Sequence, residues 1–77
     1  MPLSPTQKLK ISTTLARYIR NMEDATDAQC LEITFCQAGA YVSAARDLDA
    51  LPSEQISALL LLFEHLYQRG LVRVSAL

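Results

Sequence analysis

The chain has 77 residues, of which 51% are hydrophobic and 19% charged, and its formal net charge is −1. Gly39 and Gly70 are its only glycines, which excludes a glycine-rich phosphate loop. No Ser or Cys has a recognisable base and orienting group for nucleophilic catalysis. We therefore expect a non-enzymatic protein with no catalytic, cofactor-binding or metal-binding residues.

Its length predicts a single domain over residues 1–77. A domain of this size buries only about 60% of its unfolded surface and has marginal stability unless a metal, disulfides or association support it. The mean hydropathy of +0.16 is nevertheless high for so short a chain. Formation of a homodimer is the simplest way to bury the surplus apolar side chains.

The first predicted element is a helix from Thr6 to about Met22. Ser4 and Pro5 suit the N-cap and the first helical position. The basic residues of this helix have no acidic neighbour within residues 1–20, whereas residues 21–54 are mainly acidic. These basic residues form the predicted charged surface: Lys8, Lys10, Arg17 and Arg20.

The second element has two interpretations. Thr26 and Gln29 fit a capping box, which favours a helix from Asp27 to about Ala38 that stops near Gly39. The alternation of apolar residues from Leu31 to Phe35 favours a strand instead, which would make the fold α+β with a hairpin at 30–45. We prefer the helix.

Cys30 and Cys36 lie six residues apart, which matches no common zinc or redox spacing. We interpret both as small buried hydrophobes. Two unpatterned cysteines and no recognisable signal peptide lead us to expect a cytoplasmic protein. No apolar run approaches the length of a membrane span, and no small-molecule substrate is suggested.

Ser43 is the expected cap of a short helix over 44–50, and Leu51-Pro52 joins it to the longest patterned segment, 52–69. Gly70 is expected to end this central helix, and residues 71–75 alternate as in a short extended segment. One face of the helix carries an ordinary core stripe: Ile56, Leu59, Leu60, Phe63, Leu66 and Tyr67.

A second apolar surface lies on the other side of the same helix. Ala58, Leu61, Leu62 and His65 form it, and a helix that is apolar on both sides is usually buried on both sides. Either short helices of the same chain cover this surface, or a second copy or another protein does. We take these four residues as the candidate interface.

From Val42 onward the order is short helix, tight joint, longer helix, glycine and extended stretch. The residues that carry this order are Ala44-Ala45-Arg46-Asp47-Leu48 and residues 66–74. The order resembles the helix-turn-helix and first wing strand of winged-helix domains. That resemblance implies a DNA-binding transcriptional regulator. In that family, however, the long helix presents polar and basic residues to the major groove, whereas Leu61 and Leu62 cannot neutralise phosphates.

We therefore predict an all-α fold of three or four short helices packed around a central helix 52–69, with a short extended C-terminal segment. The predicted function is a protein–protein interaction module, homodimeric, that regulates or scaffolds a larger assembly. DNA binding of the winged-helix type is the alternative.

Overall fold

Three helices make up the structure, a computed structural model that describes residues 3–76. Helix α1 spans Pro5–Asp24, α2 spans Ala28–Asp47 and α3 spans Ser53–Ser75, and there is no strand in the described residues. The all-α class is confirmed, but the helices, of 20, 20 and 23 residues, are longer than expected. The predicted domain over 1–77 also includes Met1, Pro2 and Leu77, which lie outside the described residues.

Short connections fold α1, α2 and α3 into an up–down–up arrangement measuring 46 × 20 × 14 Å. Helix α3 packs on both other helices and more extensively on α2. Eight buried apolar residues form the core: Met22, Ala25, Leu31, Ala38, Val42, Ala45, Ile56 and Phe63. On the predicted core stripe of α3, Ile56 and Phe63 are buried, whereas Leu60 retains 38% exposure.

The start of α1 follows its sequence signal closely. The Ser4 hydroxyl accepts a hydrogen bond from the Gln7 amide (3.1 Å), and the Gln7 side chain accepts one from the Ser4 amide (2.9 Å). This capping box satisfies two amides that the first turn leaves unpaired, and Pro5 needs no such partner. The predicted cap is therefore confirmed.

Helix α2 confirms the preferred helical interpretation of its sequence, but its cap and its end differ from the prediction. Its N-cap is Asp27, whose carboxylate accepts from the Cys30 amide at 2.7 Å, so the capping box predicted at Thr26 is wrong. The helix continues through Gly39 to Asp47, so the hairpin at 30–45 and the separate helix at 44–50 are also wrong. Its buried residues explain this continuity, because Leu31, Ala38 and Val42 fall on one helical stripe that needs a continuous backbone.

The turn after α2 contains the one described non-glycine residue with a left-handed backbone, Asp49, at φ 52°. The Asp49 amide donates to the Arg46 carbonyl (3.1 Å) and the Ala50 amide to the Ala45 carbonyl (2.8 Å). Together these bonds form a Schellman motif, in which aspartate occupies the position that glycine usually takes. The turn leads to Pro52, the N-cap of α3.

Helix α3 does not end at Gly70. Residues 71–75 are helical, so the predicted extended C-terminal segment is wrong. Gly70 is buried against Leu31 of α2, and a Cβ atom at Gly70 would lie 2.7 Å from Leu31 Cδ2. Because Gly70 has no side chain, α2 and α3 can approach each other closely at this residue. Gly70 does not end the helix.

Candidate interaction surface

The side of α3 that points away from the core is uncovered and carries exposed apolar residues among polar ones. Ala58, Leu61, Leu62 and His65 are all exposed, and Leu61 and Leu62 retain 68% and 38% exposure. In a straight helix Ala58, Leu61 and His65 lie about 140–160° from Phe63, and Leu62 lies about 100° from it, so α1 and α2 pack mainly on the other side. The rest of the described chain therefore leaves the four predicted residues open to solvent.

Val72 lies two turns beyond His65 on the same side of α3, with the polar Gln68 between them. It is 73% exposed and lies seven residues after His65, which in turn lies seven after Ala58. The sequence interpretation missed Val72 because residues 71–75 were assigned to an extended segment. The seven-residue spacing from His65 to Val72, which spans Gly70, is the sequence pattern that could have placed Val72 on this side of the helix. We refer to Ala58, Leu61, Leu62, His65 and Val72 together as the outer face of α3.

Opposite charges lie on the two sides of the part of the outer face that runs from Ala58 to His65. Glu54 lies one turn before Ala58, and Arg69 lies one turn after His65; both are exposed. Among residues 3–76 the single ion pair joins Arg46 to Asp47 at 3.8 Å. Neither Glu54 nor Arg69 is therefore engaged in an ion pair with another described residue.

The basic residues of α1 are exposed but do not form one cluster. Lys10, Arg17 and Arg20 lie within about 80° of one another around the helix, whereas Lys8 lies about 160° from Lys10. Lys8 instead borders a groove of about 600 Å³ between the start of α1 and the start of α3, with Ile11, Leu15 and Leu59 among its lining residues. The groove is mainly apolar, and Lys8, Ser12 and Gln55 supply its polar side chains.

Both cysteines are exposed, so the expectation that they are buried is wrong. They flank the buried stripe of α2 instead of lying on it, because Leu31 takes the inward position beside Cys30. The Asp27 carboxylate accepts a hydrogen bond from the Cys30 thiol and, being negative, further opposes its ionisation, which raises the pKa of Cys30. This environment disfavours the reactive thiolate.

Within residues 3–76 no three His, Cys, Asp or Glu side chains lie close enough together to hold a metal ion. No helix in the same range has the length and apolar character required to cross a membrane.

A scan against protein-family models found no match, and searches of curated proteins and of solved structures likewise found no relative of this chain. The winged-helix resemblance therefore stays a prediction, and the functional argument rests on the side chains themselves.

Proposed function

We propose that this protein is a non-enzymatic interaction module that forms a homodimer through the outer face of α3 and acts as a regulator or scaffold within a larger assembly. The observation that carries the proposal is the exposure of Leu61 (68%) and Val72 (73%) on the same side of α3. Single exposed leucines are common on soluble proteins, but several large exposed apolar side chains on one side of a helix indicate an interaction surface.

The size of the outer face fits helix recognition. From Ala58 to Val72 it runs about 21 Å along α3, at 1.5 Å per residue. Apolar side chains at such spacings are the anchors by which amphipathic helices bind one another or a groove. Each leucine or valine that leaves water completely contributes about 1.5–3 kcal/mol before the costs of association.

The outer face of α3 suits a regulatory or scaffolding role better than catalysis, because it offers area for contact with another protein and no polar groups that converge on one point. We also propose that the protein acts in the cytoplasm. Two exposed thiols, Cys30 and Cys36, support this location, since free thiols persist in reducing compartments.

Replacing Leu61 with glutamate is expected to dissociate the homodimer, because the substitution would bury a carboxylate in an apolar contact. The measurement is molar mass by light scattering over at least a tenfold range of concentration, together with circular dichroism to verify folding. Wild-type protein should approach twice 8.5 kDa, and Leu61→Glu should remain a monomer with unchanged helicity.

Leu9→Glu is the matched control, since Leu9 on α1 has the same exposure of 68% as Leu61. It adds the same charge to a helix elsewhere on the molecule and should leave the dimer intact. A wild-type protein that remains monomeric, or a Leu61→Glu variant that dimerises normally, would contradict the proposed homodimer.

DNA binding of the winged-helix type is the second candidate, favoured by the exposed cations on α1. If Lys10, Arg17 and Arg20 contact phosphates, affinity for duplex DNA should fall steeply as salt rises, and Arg17→Glu/Arg20→Glu should abolish binding. Fluorescence anisotropy with a labelled duplex, measured at several salt concentrations, provides the test. Binding that is absent at low salt, or that survives the charge reversal, excludes this candidate.

A further inference from the structure

The charges on either side of Ala58–His65 in the outer face of α3 point to the orientation of the dimer. We propose that two copies of this chain pair their α3 helices antiparallel, with the two-fold axis passing between Leu61 and Leu62. This inference rests on the proposed homodimer and adds its geometry. A second copy is the occupant because the outer face complements itself when one α3 helix is reversed.

The register follows from the positions of the charges. In an antiparallel pair centred between Leu61 and Leu62, Glu54 of one copy lies level with Arg69 of the other. The pairing occurs twice because of the two-fold symmetry. Both residues are exposed and unpaired within the described chain. Arg73 is a weaker candidate for this contact, because its guanidinium already donates to the Met22 and Ala25 carbonyls.

The outer-face residues from Ala58 to His65 agree with this register, whereas Val72 lies beyond the charged pairs, past the start of the other copy's α3. Ala58 of one copy lies level with His65 of the other, which places a small side chain opposite a large one, as interdigitated helix packing requires. The leucines at 61 and 62 then meet around the axis and exclude water from its centre. Glu54 and Arg69 close the two ends of the contact, where charged side chains belong in an interface.

A parallel pair in equal register would oppose like charges. Glu54 would face Glu54 and Arg69 would face Arg69, and such contacts oppose association. The outer face therefore distinguishes the two orientations by electrostatics, although its apolar residues alone fit both.

Charge reversal tests the orientation directly. We expect Glu54→Arg and Arg69→Glu each to raise the dimer dissociation constant about fivefold or more at low ionic strength, because each single variant replaces two attractive pairs by two repulsive ones. The double variant Glu54→Arg/Arg69→Glu recreates the pairs with reversed polarity and should return to within about twofold of wild type. Analytical ultracentrifugation gives the four dissociation constants.

A parallel dimer gives a different result. All four proteins would then place like charges opposite one another, so the effects of the two single reversals would add in the double variant, with no recovery of affinity from pairing residues 54 and 69. That outcome overturns the antiparallel geometry while leaving the homodimer in place.

Cross-linking provides a second, independent measurement. In a Cys30→Ser/Cys36→Ser background, chains with Glu54→Cys are mixed with chains with Arg69→Cys and treated with a short bismaleimide. Mass spectrometry separates the products because the two chains differ in mass. The antiparallel geometry gives mainly the mixed 54–69 product, whereas same-site products (54–54 and 69–69) overturn it. A background protein that light scattering finds monomeric overturns the proposed homodimer itself.

Discussion

Replacing Gly70 with alanine is expected to destabilise the protein, although alanine favours helices by about 1 kcal/mol over glycine. The new Cβ would lie 2.7 and 2.9 Å from the two terminal carbons of Leu31, closer than van der Waals contact allows. Leu31 is fully buried, so its side chain can shift away from the new Cβ only against the neighbours on which it packs. Overpacking of a closed core typically costs about 1–3 kcal/mol.

Gly39 provides the matched control within the same chain. It is also helical, and a Cβ added there meets nothing within 4 Å. Gly39→Ala should therefore stabilise the fold by about 0.5–1 kcal/mol. Because the gain in helix propensity is common to both variants, the difference between them measures the overpacking cost. Urea denaturation at fixed protein concentration gives this difference, and a Gly70→Ala variant as stable as Gly39→Ala would refute the close contact.

These two glycines also explain which helix boundaries the sequence could not predict. A glycine is a common helix stop when its backbone turns left-handed, but neither described glycine has a positive φ. Gly39 and Gly70 lie inside α2 and α3 because tertiary packing outweighs their low helix propensity. The residue that does have a left-handed backbone is Asp49. Because it is not a glycine, the sequence predicts the end of α2 less clearly at this position. In contrast, the cap at Ser4 depended on neighbouring residues alone and was predicted correctly.

The candidate surface was partly predictable for the same reason. Helical periodicity within 52–69 depends on local geometry, and it placed Ala58, Leu61, Leu62 and His65 on the side away from Phe63. Whether another part of the chain covers that side depends on tertiary structure, which periodicity does not contain. Val72 was not predicted as part of the surface, because the C-terminal segment that contains it was assigned as extended. The exposure of Cys30 could have been anticipated by its place beside Leu31 on α2, but residue-type preference pointed the other way.

Arg73 of α3 contacts the end of α1, which is far from it in the sequence, and no local sequence pattern predicts this contact. One of its guanidinium nitrogens donates to the Met22 carbonyl at 3.0 Å and to the Ala25 carbonyl at 2.9 Å. The carbonyls at the end of a helix lack partners within it, and the last turn of α1 contains no basic residue of its own. Arg73 therefore supplies, from α3, the positive charge that stabilises the negative end of the α1 dipole.

Arg73→Ala is expected to lower the free energy of unfolding by about 2–3 kcal/mol, because charge-assisted hydrogen bonds contribute more than neutral ones and the two carbonyls are left without this donor. Arg73→Lys keeps the charge but loses the planar guanidinium, so its loss should be intermediate. Arg20→Ala removes an exposed arginine with no described partner and should change stability by less than about 0.5 kcal/mol. Urea denaturation at fixed protein concentration compares the three variants. If Arg73→Ala is no less stable than Arg20→Ala, the cap that α3 places on α1 contributes nothing to folding, and the two helices are held together by the apolar core alone.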